Sequence, residues 1–440
     1  MPAYAQTAYA NPVSFTSSLS EPVFGGKIYY RAQGNPRGPA VLLVHGLGDN
    51  ASRMWEDTAR KLQNNYFIYT FDLPGFGRSE KGNKLYSPEK YVELIRFLRQ
   101  NQIKKPFHLV GHSMGGAIAL RYAATYPEDV QTLTLIDVAG ILYRLAYTKY
   151  LAPMGLEWFS DKFIVDRQLV SSWAGRLLNK AEGLVQFDPQ YLLSVPLLRD
   201  KILSGEPAKI AGLALVLDNF NQMPQKIQAP TQIIWGENDT IAPVRTAHVL
   251  KALIPKAELV IVKKAAHNPV LEQSDLTHKL ILRSIEAPQA STAVISQRPA
   301  PPPKNRVNCL EQNNVRYTGT ISLLQLENCN NVLIENAVIG QLIINNSRVE
   351  IRNTRIDSNT TSIRANHSDI TITAASIEGK VAIRINDTRL DIAGSELKGV
   401  SEIIVAEQAS SVIFSLSQAV DRDSMKPLHG RVDVGPGNAL

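Results

Sequence analysis

The chain predicts an α/β fold with a mostly parallel sheet, followed through a proline-rich linker by an all-β domain built from repeats. Three observations carry this. Short apolar runs alternate with amphipathic helical patterns up to about residue 285, the composition then breaks, and apolar residues afterwards recur about every 20 positions.

Residues 1–24 are expected to be an N-terminal tail. Ala3-Tyr4-Ala5-Gln6 has the small residues of a secretory cleavage site without the charged and apolar regions that precede one, so it reads either as the stub of a trimmed precursor or as a disordered polar tail. Val41-Leu42-Leu43-Val44 is then a buried strand ending in the tight loop His45-Gly46-Leu47-Gly48, and Phe67-Ile68-Tyr69-Thr70-Phe71 is the next strand. Phe107-His108-Leu109-Val110 runs into Gly111-His112-Ser113-Met114-Gly115, with a helical pattern over 116–124 behind it. A strand turning sharply into a helix crowds its apex, which explains small residues two before and two after Ser113. The apex hydroxyl is a nucleophile candidate. The N–H of Met114, at the helix start, and that of Leu47, in the earlier loop, are candidates to hold a developing oxyanion.

A serine hydroxyl is a poor nucleophile without a base, and the base needs a carboxylate to fix its tautomer. His267 lies five residues after the strand-like Leu259-Val260-Ile261-Val262, and Asp239 follows Thr231-Gln232-Ile233-Ile234-Trp235-Gly236. A glycine-rich turn, a loop histidine or a helix-capping aspartate is ordinary alone. Their occurrence in the order Ser, Asp, His, each at a strand end where open α/β sheets place reactive groups, points to Ser113, His267 and Asp239 as a catalytic set. Asp137, at the end of Leu133-Thr134-Leu135-Ile136, is a rival for the acid. His45 is expected to stabilise its loop.

Residues 25–285 resemble a serine-nucleophile α/β-hydrolase, esterase- or lipase-like. The matching pieces are His45-Gly46-Leu47-Gly48, Asp72-Leu73-Pro74-Gly75-Phe76-Gly77-Arg78-Ser79, the elbow at Ser113, Gly236-Glu237-Asn238-Asp239 and His267. The resemblance implies an eight-stranded, doubly wound sheet with helices on both faces, no metal and no organic cofactor. Relatives with aspartate at the elbow attack carbon–halogen bonds or epoxides, and a serine there argues against both. Residues 140–228 lack strand–helix alternation and read as a helical cap, with Tyr143, Tyr147, Trp158, Phe159, Trp173, Leu177 and Leu178 divided between core and an apolar pocket, and Pro153 and Pro196 as breakers.

Residues 286–305 form the linker. Over 306–420, Leu323, Ile343, Ile363, Ile383 and Ile403 recur every 20 residues. Alternating pairs such as Val349 with Ile351 and Ile370 with Ile372, and the series Ile356, Ile377, Leu397, follow the same period. Asn346, Asn366 and Asn386 read as a stacked turn position. Three short strands per coil predict a parallel β-helix, with a small antiparallel sandwich as the alternative. Residues 421–440 are expected to be a tail. The only cysteines, Cys309 and Cys329, would lie in adjacent coils and form a bridge in an oxidising compartment. The asparagine sequons at Asn345, Asn359, Asn366 and Asn386 are read as turn chemistry.

Net charge is +8 over residues 1–299 and −1 over 300–440, giving +7. Without a dense basic run, this reads as a solvated face and not as a nucleic-acid groove, and no apolar run is long enough to span a bilayer. The expectation is a periplasmic, cell-envelope or secreted hydrolase of small carboxylic esters, a cytoplasmic location being the alternative. Hydrolysis of a carbon–carbon bond is the competing chemistry. A third reading makes the repeat domain the principal part, binding a polymer or envelope ligand; Asp357, Asp369, Asp387 and Asp391 are too scattered for a lyase-type site there.

Overall fold

Eight strands make the first sheet: β1 (Val13–Glu21), β2 (Gly26–Gly34), β3 (Ala40–Val44), β4 (Phe67–Phe71), β5 (Phe107–His112), β6 (Val130–Ile136), β7 (Thr231–Gly236) and β8 (Ala257–Val262). The computed structural model describes residues 13–143, 189–286, 305–421 and 424–435, and the chain divides into two units.

The sheet order is β1-β2-β4-β3-β5-β6-β7-β8. The β1–β2 and β2–β4 pairs are antiparallel and the remaining pairs parallel, so the expected eight-stranded, mostly parallel sheet is present. Its middle strands are apolar on both faces because helices cover both, and Val41, Leu42, Leu43, Leu109 and Val110 are fully buried. Three helices flank the first half, α1 (Glu56–Leu62), α2 (Pro88–Leu98) and α3 (Met114–Thr125). Ser87 caps α2 by accepting the Lys90 N–H, with Pro88 in the first turn, where a missing N–H costs nothing. Helix α3 begins with small residues, which lets it lie close on the sheet: a Cβ on Gly116 would stand 2.8 Å from Val138 Cγ2.

One boundary needs correcting. Residues 13–21 are not tail but the edge strand β1, paired with β2 along its whole length. Most of β1 is exposed, so backbone hydrogen bonds hold it where burial does not, and Glu21 closes the following turn by accepting the Phe24 N–H at 2.9 Å. Hydrophobic periodicity cannot report such a strand. Of the expected cap, the described part is helical: α4 (Pro189–Ser194), α5 (Pro196–Leu203) and α6 (Pro207–Leu217), with Pro196 opening α5 and not breaking a helix. Tyr147, Trp158, Phe159, Trp173, Leu177, Leu178 and Pro153 lie outside the described residues, as do the linker residues 287–304 and the N-terminal Ala3-Tyr4-Ala5. Helix α7 (Arg245–Leu253) runs between β7 and β8, and helices α8 (Pro269–Glu272) and α9 (Ser274–Glu286) follow β8.

The second unit is all β. Strands β9 (Arg306–Leu310), β10 (Arg316–Glu327), β11 (Val332–Asn345), β12 (Arg348–Arg352), β13 (Arg355–Asn366), β14 (Asp369–Thr373), β15 (Ser376–Asn386), β16 (Arg389–Ala393), β17 (Glu396–Ala406) and β18 (Ser410–Asp421) pair in parallel. Because β11 pairs with both β12 and β13, the ladder closes on itself as a ring of eight parallel strands. This excludes the antiparallel sandwich. The pairs Val349/Ile351, Ile370/Ile372, Leu390/Ile392 and Val412/Phe414 stack in register, as do Ile356, Ile377 and Leu397, and all are buried.

The strict 20-residue series is corrected by the register. The stacked interior row is Leu324, Leu342, Ile363, Ile383 and Ile404, so coil length varies, and Leu323, Ile343 and Ile403 fall one place away from it, only partly buried. The asparagine row is likewise Asn345, Asn366 and Asn386. Asn346 occupies the next place, a left-handed corner at φ 47° shared with His367 at 48° and Asp387 at 42°. Just beyond that corner, Ser347, Ser368, Thr388 and Ser410 form a buried hydroxyl row, with Ser347 N–H donating to Ser368 Oγ at 3.2 Å and Thr388 N–H to Ser410 Oγ at 3.2 Å. These bonds satisfy backbone groups that the ladder leaves open where the chain turns. The expected C-terminal tail contains β19 (Ser424–Val434), antiparallel to β18, which is a second correction of the same kind.

Cys309 and Cys329 are bridged across neighbouring coils, although Cys309 stands in register with Leu326 and not with Cys329. A bridge closing a loop with sequence separation 20 restricts the unfolded chain by about 3 kcal/mol. Cys309→Ser with Cys329→Ser is expected to lower the unfolding free energy of this unit by about that amount, seen as a lower denaturation midpoint in far-ultraviolet circular dichroism. Tryptophan fluorescence should not move, because Trp55, Trp158, Trp173 and Trp235 all precede residue 286.

Candidate active site

Ser113 stands between β5 and α3 with φ 54° and ψ −122°, a conformation that side chains with a Cβ rarely adopt. The turn is so tight that a Cβ on Gly111 would sit 2.3 Å from the Gly115 carbonyl oxygen, and one on Gly115 would sit 2.4 Å from those of Val44 and His45. Two backbone bonds steady the apex: Ser113 N–H donates to Ile136 O at 2.9 Å, and Ser113 O accepts from Gly116 N–H at 3.0 Å.

The three predicted side chains come together. His267 Nε2 lies 2.9 Å from Ser113 Oγ, and His267 Nδ1 lies 2.8 Å from Asp239 Oδ2. A carboxylate can only accept, so Nδ1 carries the proton and Nε2 presents a lone pair to the serine hydroxyl. Asp239 is held from behind, its Oδ1 accepting the N–H groups of Ile241 at 2.8 Å and Ala242 at 2.9 Å. Trp235 Nε1 donates to Ala242 O at 2.8 Å and anchors the far end of that loop. The Asp239 and His267 loops cross closely: a Cβ on Gly236 would overlap Ala266 O at 1.9 Å, and Asn238 N–H donates to Ala265 O at 2.8 Å.

Asp137, the rival acid, is not the residue His267 touches. It ends β6, fully buried, and its Oδ1 accepts the Gly236 N–H at 2.8 Å.

The loop after β3 lies beside the elbow because Val44 pairs with Gly111. Gly46 is there for want of space, since a Cβ would stand 2.8 Å from Ser113 Cβ. His45 fastens this loop to the one after β4. Its Nε2 accepts the Leu73 N–H at 2.8 Å, so Nδ1 bears the proton donated to Gly46 O at 2.6 Å. Burial pushes its pKa down to about 4, which keeps the ring neutral. The loop after β4 wraps an ion pair: Asp72 accepts from Arg78 Nε at 2.9 Å and from the Ser52 N–H at 2.9 Å. Burial works against that carboxylate, but the Arg78 and Ser52 hydrogen bonds outweigh it and hold the group below the ordinary range. Gly77, at φ 52°, leaves room that a Cβ 2.5 Å from Asp72 Oδ2 would take.

Two contributors were not visible as site residues in the sequence. His112, which the sequence marks only as the variable place in the elbow, donates from Nε2 to the His267 carbonyl at 2.7 Å, and burial, with the nearby His267, lowers its pKa to about 3. Glu272 on α8 accepts the N–H groups of Ala266 and Asn268 and so clasps the residues on either side of His267. Its position five residues after the histidine was the one available signal.

A sequence profile of the α/β-hydrolase fold matches residues 39–274. The chain belongs to the α/β-hydrolase family. Lipase 1 of Psychrobacter immobilis is 30% identical to this hydrolase over 262 residues, covering 58% of this chain and 78% of that protein. Monoacylglycerol lipase abhd6-B of Xenopus laevis is 33% identical over 277 residues, covering 60% of this chain and 81% of that protein. Among solved structures, the esterase EaEST from Exiguobacterium antarcticum is 20% identical, covers 62% of this chain and 100% of its own, and has a TM-score of 0.47.

Four buried histidines of the hydrolase unit, His45, His108, His112 and His278, have their pKa values lowered chiefly by burial, the first two to about 4. Each ring binds its proton more weakly folded than unfolded. Their contribution to stability is therefore complete above the ordinary imidazole value of 6.5 and is lost as pH falls toward 4. The urea midpoint followed by tryptophan fluorescence is expected to drop across that window, and His45→Asn to make the drop shallower.

Proposed function

We propose that this hydrolase cleaves carboxylic esters through an acyl-enzyme intermediate, with Ser113 as nucleophile, His267 as base and Asp239 as the acid that orients the base. The observation that carries the reading is the hydrogen-bonded chain from Asp239 through His267 to Ser113 Oγ, set at a strained elbow. The lipase and monoacylglycerol lipase names of its relatives support the same reaction class.

In this mechanism Ser113 Oγ attacks the ester carbonyl carbon while His267 Nε2 takes the hydroxyl proton. The Leu47 and Met114 N–H groups receive the charge that develops on the carbonyl oxygen; the Met114 N–H is free of helical partners because it opens α3. Collapse of the tetrahedral species expels the alcohol, which leaves with the proton held on His267. Water, deprotonated by the same nitrogen, then releases the acid and restores Ser113.

For the second unit we propose the parallel β-helix reading and a docking role toward a polymer or envelope ligand. The Cys309–Cys329 bridge supports residence in an oxidising compartment, periplasmic or secreted. Deletion of residues 300–440 should then leave small-ester turnover in place and abolish localisation.

The reaction is tested with p-nitrophenyl esters of increasing acyl length together with a fluorophosphonate probe, which loses fluoride as Ser Oγ bonds to phosphorus. Ser113→Ala is expected to lower kcat by about a thousandfold or more and to abolish labelling. Labelling of the native protein without ester turnover favours carbon–carbon cleavage, and absence of labelling overturns the serine mechanism.

A further inference from the structure

Asp137 is a buried carboxyl group that the proposed mechanism does not use. It is fully buried at the end of β6, with φ 43° and its N–H bonded to Ile234 O at 3.1 Å. One side-chain oxygen, Oδ1, has the Gly236 N–H at 2.8 Å. The other, Oδ2, is buried and meets no hydrogen-bond donor among the described residues. An ionised carboxylate with a buried oxygen lacking a donor is costly to keep.

What faces this carboxyl group is another carboxyl group. Asp239 meets it side chain to side chain, and Glu272 on α8 adds a second negative charge. Both oxygens of Asp239 already accept hydrogen bonds, from Ile241 and Ala242 on one side and His267 on the other, and those partners require Asp239 to be the ionised member. Burial first, and the Asp239 charge second, push the Asp137 carboxyl well above its ordinary range. Among the described residues, the principal groups acting on it include no cation.

We propose that Asp137 is held as a neutral carboxylic acid whose O–H donates to the Asp239 carboxylate, making it a positioning residue behind the Asp239–His267 pair. The orphan oxygen then becomes a donor aimed at the group most able to accept it. The arrangement keeps a single negative charge behind His267. Two ionised carboxylates there would favour the imidazolium and spoil the base for neutral pH. The catalytic side of this inference rests on the ester-hydrolase reading, while the protonation state stands apart from it.

The test uses the full-length protein, with Asp137→Asn as the isosteric neutral donor and Asp137→Ala as the deletion. Asparagine tolerates the left-handed backbone at this position. An infrared difference spectrum, native minus Asp137→Asn at neutral pH, is expected to show the carbonyl stretch of a protonated carboxylic acid, and its absence overturns the proposal. In p-nitrophenyl ester turnover, Asp137→Ala should lower kcat by up to about 100-fold through misplacement of Asp239, with KM little changed, and Asp137→Asn should recover most of that loss. The acid limb of kcat/KM should stay in place in Asp137→Asn, because one neutral group replaces another; a move of that limb to lower pH means that an ionised Asp137 was lost and refutes the idea. If the native protein neither turns over esters nor takes the fluorophosphonate label, the ester-hydrolase reading fails by itself, and the infrared band still decides the state of Asp137.

Discussion

The left-handed backbone at Ser113 is the constraint around which the first unit is arranged. A serine in that region costs on the order of 1–3 kcal/mol, and it persists only where the surroundings leave no alternative. Here the alternatives are removed by contact, since Gly111 and Gly115 are packed more closely than any Cβ allows. The same closeness draws the carbonyls of Val44 and His45 against Gly115 and seats Gly46 beside Ser113. The elbow at Ser113 and the loop after β3 are thus two consequences of one packing event. The His267 loop joins them from the other side through His112, whose ring ties the elbow to the His267 carbonyl.

Electrostatics follow from burial at this junction. His45 and His112 are enclosed and driven neutral, so they act as fixed donors and acceptors and add no charge next to Ser113. Asp72 keeps its charge because Arg78 and two Ser52 bonds are built around it. Charge is therefore tolerated only where its partners are complete. Behind His267, two carboxyl groups meet and the principal groups acting on Asp137 among the described residues include no cation, so one proton between them is the simplest way to satisfy the same rule.

The second unit solves a different problem. Each coil has too little apolar surface to stand alone and buries its branched aliphatic residues only against the coils on either side. Corners are the weak points of such a ladder. Asparagine, histidine and aspartate take the left-handed positions at Asn346, His367 and Asp387, and the hydroxyl row beginning at Ser347 supplies the hydrogen bonds that strands cannot. The C-terminal strand β19, reversed against β18, ends the parallel run.

Much of this was legible in the sequence. The central strands, the elbow, the order of Ser113, Asp239 and His267, and the repeat nature of residues 306–420 are local patterns of hydrophobicity and turn residues, and such patterns are written along the chain. Strands β1 and β19 were not legible, because backbone pairing holds exposed residues that carry no apolar period. Nor was the coil register, since coils of unequal length carry a row through Leu342 and Ile404 where a fixed period points to Ile343 and Ile403. Sequence by itself determined which residue types stand at which strand ends. Only the tertiary structure decided that His267 meets Asp239 while Asp137 faces it from behind, because that choice depends on how neighbouring strands and their loops lie in space, and both aspartates follow the C-terminal ends of parallel strands.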